Sequence, residues 1–281
     1  MVALSPILKR VLARRPLPLA WPPLKIGHRG AAGEAPENTL VSFELAWRQG
    51  ADGIEFDVQL SSDGVPVVIH DVRLGRTTSG NGLVSEHRAR VLRRLDAGSW
   101  FNRRFPARAR ERYVGVRIPT LAEVLHWACA RKCRAFIEIK DPVPGVESKV
   151  LKEIENAGAW HLARVISFDL RALARLRHLS SRACLGLDIS RRRLAIRHAQ
   201  RLAADAVLPH WTIASRRFIR SAHQASLQVI PWTINYPLHM RRKILDGVDG
   251  IITNYPARLT AVLDRIGRAR QEGRERVREE R

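Results

Sequence analysis

Two pairs of charged residues stand at a spacing that forces each pair onto one surface. Glu55 and Asp57 lie two apart within Gly53–Leu60, with Ile54, Phe56 and Val58 between and beside them. Alternate residues of an extended strand share a face, so the carboxylates point one way and the apolar side chains the other. Glu138 and Lys140 repeat the arrangement against Ile137 and Ile139. Three carboxylates gathered in one interior are costly unless a cation compensates them. Lys140 can offset one charge, and a divalent ion two more. An all-oxygen donor set suits a hard ion, so the expected cofactor is Mg²⁺ or Ca²⁺ held by Glu55, Asp57 and Glu138. A buried Glu–Lys–Asp network without metal is the alternative reading of each pair alone.

Two histidines weigh toward catalysis. His28 ends an apolar run in Gly27-His28-Arg29-Gly30, and His70 precedes Asp71, which can orient its ring. A pair of imidazoles beside a carboxylate cluster supplies the base and acid that phosphodiester cleavage needs, one taking the proton of the attacking hydroxyl and the other protonating the leaving alkoxide. Arg29 offers a forked donor for phosphate oxygens. Asn38, next to the helix-capping Thr39, can reach the same site from the loop after the first strand. Trp232 and Asn235, in Pro231-Trp232-Thr233-Ile234-Asn235, belong to a late strand end, where the tryptophan either walls a pocket or fills the interior.

The elements that must hold these residues alternate regularly. Strands are expected at 24–28, 53–60, 135–140, 164–168, 183–187, 206–208, 228–234 and 250–253, with helices at 39–49, 121–131, 147–157, 170–179, 194–202, 215–224 and 238–245. Such βα units point to a closed, imperfect (β/α)8 TIM barrel, whose functional groups gather at the C-terminal strand ends. Between Leu60 and His70 the sequence Ser61-Ser62-Asp63-Gly64 signals a hairpin, so a β-hairpin arm returns antiparallel on the second strand. A two-residue turn centred on Asp63-Gly64 sets Asp57 opposite His70. The Gly- and Arg-rich stretch at about 72–117 fits neither strand nor crossover and is expected as a small insertion above the barrel mouth. Residues 1–23 are a basic, Pro-rich extension, 24–263 the barrel, and 264–281 a charged tail.

The chain of 281 residues is 45% hydrophobic, with a formal net charge of +22 that is mostly arginine. That field attracts anions, but no basic helix carries base-reading side chains, so no nucleic-acid partner is expected. No apolar run is long enough to span a bilayer, and the N-terminus lacks the form of a secretory signal. A cytoplasmic protein is the expectation, with peripheral contact to anionic membrane as the variant that the charge favours. Cys129, Cys133 and Cys184 read as small apolar residues rather than as a disulfide framework.

The segments HRG (28–30), APENTL (35–40), GADGIEFDVQLSSDGVPVVIHD (50–71), RTTSGNG (76–82), IPTLAEVL (118–125), IEIK (137–140), PWTIN (231–235) and DGIITNYP (249–256) resemble the glycerophosphodiester phosphodiesterase family over roughly Lys25–Leu263. The resemblance implies a phosphodiesterase barrel that releases glycerol 3-phosphate and an alcohol from a small-molecule glycerophosphodiester. By motif it implies Glu55, Asp57 and Glu138 on the metal, His28 and His70 as the acid–base pair, and Arg29 and Lys140 on the phosphate. Two places depart from the family pattern: Asn254 stands where an aspartate is common, and Val72-Arg73 replaces an acidic residue after His70-Asp71. Both are expected to lie clear of the catalytic set. Competing readings are lysophospholipase D-type cleavage at a membrane surface, for which Ala3–Val11 is the weakly amphipathic candidate, and a non-catalytic barrel that binds phosphoesters or nucleic acid.

Overall fold

The computed structural model describes residues 22–140, 143–191 and 194–279. The N-terminal extension, Ala3–Val11 with it, therefore falls outside the described residues, apart from Pro22 and Pro23. Eight parallel strands form the barrel: β1 (Leu24–His28), β2 (Gly53–Leu60), β4 (Arg134–Ile139), β5 (Ala163–Ser167), β6 (Leu185–Ile189), β7 (Ala206–Pro209), β8 (Gln228–Val229) and β9 (Gly250–Thr253). They run in the order β8-β7-β6-β5-β4-β2-β1-β9. The wall closes where Asp249 N donates to Val229 O at 2.9 Å and Ile252 N to Pro231 O at 3.0 Å. The architecture is thus the α/β barrel that the alternation of elements predicts.

The period of two along each strand sorts the side chains. Ile54, Phe56, Val58, Ile137 and Ile139 face outward into the main core, which the helices cover. Inward, Ile26, Phe136, Ile166, Ala206, Leu208, Ile230 and Ile252 plug the barrel with an apolar floor. The next inward residues up the same strands are His28, Glu138 and Asn254, and with Glu55 and Asp57 of β2 they stand above that floor.

Two expectations change in detail. The hairpin arm β3 (Pro66–Val68) pairs antiparallel with β2, but Val58 faces Val68 and Leu60 faces Pro66. Asp57 therefore sits opposite Ile69, whose N–H reaches Asp57 O at 3.0 Å, and not opposite His70. The cause is a three-residue loop, Ser62–Gly64, in which Gly64 takes φ +73° and Ser61 N bonds to Val65 O. The strand expected at 228–234 stays regular only over Gln228–Val229, since Pro231 has no N–H for the ladder.

Residues 72–117 fold into short helical pieces, including Ala89–Leu92 and Ser99–Arg104. Leu74, Val84, Leu92 and Ile118 pack on Val67 and Ile69 of the arm, and Phe101 and Tyr113 on Ala35. The C-terminal helix runs Pro256–Glu279. Among the described residues no helix is long and apolar enough to cross a membrane, and the three cysteines are free.

Candidate active site

Glu55, Asp57 and Glu138 offer oxygens that all lie within 4.8 Å of one another. The parallel pairing of β2 with β4 sets Asp57 level with Glu138, and all three side chains are buried. Lys140 Nζ bridges the strands, 2.9 Å from both oxygens of Glu138 and 3.3 Å from Asp57 Oδ1. Arg29 Nε stands 3.2 Å from Asp57 Oδ2.

This compensation is incomplete. Burial, with the charges of Asp57 and Glu138 added, pushes Glu55 well above the usual carboxylate range. Glu138 is raised by burial and by Asp57. Burial would raise Asp57 too, but Arg29 and Lys140 outweigh it and hold this carboxyl low. Buried Glu55 Oε1 has no hydrogen-bond partner, and Asp57 Oδ1 has only the Lys140 ammonium at 3.3 Å. Converging carboxylate oxygens that are buried, mutually repelling and incompletely paired fit a hard divalent cation.

The loop after β1 is built to approach this cluster. Arg29 adopts φ +50° and its N–H donates to Glu55 Oε2 at 3.2 Å. Gly30 follows at φ +83°, and a Cβ there would meet Ser42 Oγ at 2.5 Å, so only glycine fits. Thr39 caps the next helix, leaving Asn38, at φ +58°, free to turn inward. Asn38 Nδ2 donates to Asp57 Oδ2 at 2.8 Å, which places it in the site.

The two histidines differ in their partners. His28 Nδ1 lies 2.7 Å from Asn254 Oδ1; an amide oxygen can only accept, so Nδ1 carries the proton and Nε2 keeps its lone pair. Burial, helped by Arg29, lowers the His28 pKa to about 4. His70 Nδ1 instead meets Asp71 Oδ1 at 2.5 Å. Arg76 grips Asp71 from the other side at 2.5 and 3.0 Å and holds its pKa down to about 2. His28 thus has an uncharged amide at Nδ1, whereas His70 has a carboxylate there.

Asn254 therefore touches the proposed catalytic set, contrary to the expectation that both departures lie clear of it. Val72, the other departure, is exposed. Trp232, partly buried, packs on the apolar floor, with its indole N–H on Leu208 O at 2.7 Å and its ring edge-on to half-exposed Phe168. Asn235 accepts from Asn254 N at 2.9 Å and so props the loop that carries Asn254. The one-face spacing rule also applies to Asp188, on β6 two residues after inward-facing Gly186, but a strand ended at Leu187 hides it. Asp188 is buried, its Oδ2 lacks a partner, and burial with the charges of Glu138 and Glu55 raises its pKa. Glu37, bound by both Arg29 and Arg76, carries no period-two signal at all.

A family model for the glycerophosphoryl diester phosphodiesterase family matches residues 28–258. The chain belongs to this family. A glycerophosphodiester phosphodiesterase of Bacillus subtilis is 33% identical over 247 residues, 83% of this chain and 84% of that protein. One from Caldanaerobacter subterraneus is 34% identical over 248 residues, 87% of this chain and 99% of that protein. Among solved structures, a phosphodiesterase of Oleispira antarctica in complex with the product sn-glycerol 3-phosphate superposes with TM-score 0.77 at 29% identity, covering 86% of this chain and 97% of that one. As a member of the family, the chain is an enzyme, a phosphodiesterase of glycerophosphodiesters.

Proposed function

We propose that this enzyme hydrolyses glycerophosphodiesters to glycerol 3-phosphate and an alcohol, with a divalent cation, Mg²⁺ or Ca²⁺, held by Glu55, Asp57 and Glu138. The observation that carries this reading is the triad of buried, incompletely paired carboxylates flanked by two imidazoles with opposite partners. When bound, the cation supplies positive charge against the phosphate and against the charge that develops on it.

The protein's own groups do the rest. Arg29 and Lys140 bind the non-bridging phosphate oxygens, exchanging contacts with Asp57 and Glu138 for contacts with substrate. Asn38 holds Asp57 in place. His28 Nε2 takes the proton of the attacking hydroxyl as the new P–O bond forms. His70, protonated and backed by Asp71, gives its proton to the departing alkoxide as the old P–O bond breaks. Two nucleophiles satisfy this scheme, water and the glycerol 2-hydroxyl, and only the second yields a transient cyclic phosphate.

Product analysis tests the proposal. Metal-loaded enzyme with glycerophosphocholine is expected to release glycerol 3-phosphate and choline, and phosphocholine with glycerol would contradict it. Trapping a cyclic glycerol phosphate assigns the nucleophile.

A further inference from the structure

Beside the candidate site opens a cavity of about 610 Å³, lined in part by His28, Arg29, Glu37, Arg76, Arg103 and Arg104. Four guanidinium groups thus face one carboxylate there. Glu37 is taken up by Arg29 at 2.7 Å and by Arg76 at 2.8 Å, while Arg76 also pairs with Asp71 and Arg29 with Asp57. Arg103 and Arg104 have no ion-pair partner among the described residues; Arg104 only lies over the Phe105 ring at 5.5 Å.

Both arginines end the helix Ser99–Arg104. Phe101, fully buried with Tyr113 and Ala35, pins this helix to the loop after β1, and Asp96 Oδ1 accepts from Gly98 N and Ser99 N at its start. The two forks are therefore presented by an anchored element, not by a loose loop. Adjacent guanidiniums without carboxylates, opening on the same cavity as His28 and Arg29, match a tetrahedral oxyanion next to the scissile phosphate. The glycerol half of a glycerophosphodiester is uncharged and has no use for them.

We infer that Arg103 and Arg104 select glycerophosphodiesters whose alcohol carries a second phosphate. The inference rests on the phosphodiesterase reading above. On it, the second phosphate sits on the two forks while the scissile one meets Arg29 and Lys140.

The test compares glycerophosphoglycerol with the same compound phosphorylated on its distal glycerol, using metal-loaded full-length enzyme. Wild type is expected to favour the phosphorylated substrate by about tenfold or more in kcat/KM, the scale of one charge-assisted hydrogen bond. Arg103→Gln with Arg104→Gln brings that ratio toward one, mainly through KM, and lysine at both positions restores part of it. A purely structural role would lower both substrates together. Raising the salt concentration lowers the wild-type ratio, a readout that needs no variant. A wild-type ratio near or below one, or a ratio unchanged in the glutamine variant, overturns the inference while leaving the phosphodiesterase reading intact. Failure to cleave either substrate overturns both.

Discussion

His28 Nδ1 lies 2.7 Å from Asn254 Oδ1, so the ring is held by a group that accepts a hydrogen bond but carries no charge. Burial and Arg29 then keep the imidazole neutral down to about pH 4. A base protected in this way stays ready to accept a proton under mildly acidic conditions, whereas His70 is backed by a full carboxylate. The proposed division of labour between the histidines rests on these two contacts.

Replacing the amide reverses this bias. Asn254→Asp puts a charge behind Nδ1, stabilises the imidazolium and raises the His28 pKa. Protonation then removes the base at higher pH, so the acid limb of the kcat/KM profile moves upward. An acid limb that stays where it is in wild type speaks against His28 as the base.

The acid and the base separate by leaving group. His70→Ala is expected to lose about 10²–10⁴-fold with glycerophosphocholine. Much of that loss disappears with a p-nitrophenyl phosphodiester, whose leaving group needs no proton. His28→Ala loses a similar factor with both substrates. Equal losses with both substrates in His70→Ala would remove its role as acid.

The Asp71–Arg76 contact predicts a pH-dependent stability. The Asp71 pKa in the folded state, about 2, lies below its unfolded value of about 3.9. Its contribution is therefore full above that unfolded value and is lost as pH falls through about 2. Arg76→Ala should lower Tm at pH 7 and make little difference near pH 2. Equal effects at both pH values, followed by thermal melts, would contradict the pairing.

Much of the site is legible in sequence because strand geometry alone puts Glu55 with Asp57 and Glu138 with Lys140. The hairpin is visible too, but its register is not. Asp63-Gly64 suits either a two-residue turn or the observed loop, and the choice shifts every partner by one. Asp188 escapes because β6 extends two residues past the apparent run. Glu37, Arg76 and Asn254 meet their partners across 5 to 226 positions of sequence, and no strand or helix period encodes such contacts.

Metal binding can be observed apart from turnover. Mg²⁺ or Ca²⁺ at 100 times its Kd should stabilise wild type by about 2.7 kcal/mol, seen as a rise of several degrees in Tm. Glu55→Gln should abolish this rise. Without metal the same variant should be at least as stable as wild type, because one of three mutually repelling buried carboxyls is gone. A full metal-induced shift in Glu55→Gln would place the ion elsewhere.

The most direct measurement is glycerol 3-phosphate release from glycerophosphocholine before chelation, after EDTA, and after Mg²⁺ or Ca²⁺ is restored, in wild type and His28→Ala. The account predicts release that EDTA abolishes and the added ion restores in wild type, and little release by His28→Ala under any of these conditions. Release indifferent to EDTA and to the His28 substitution would contradict it.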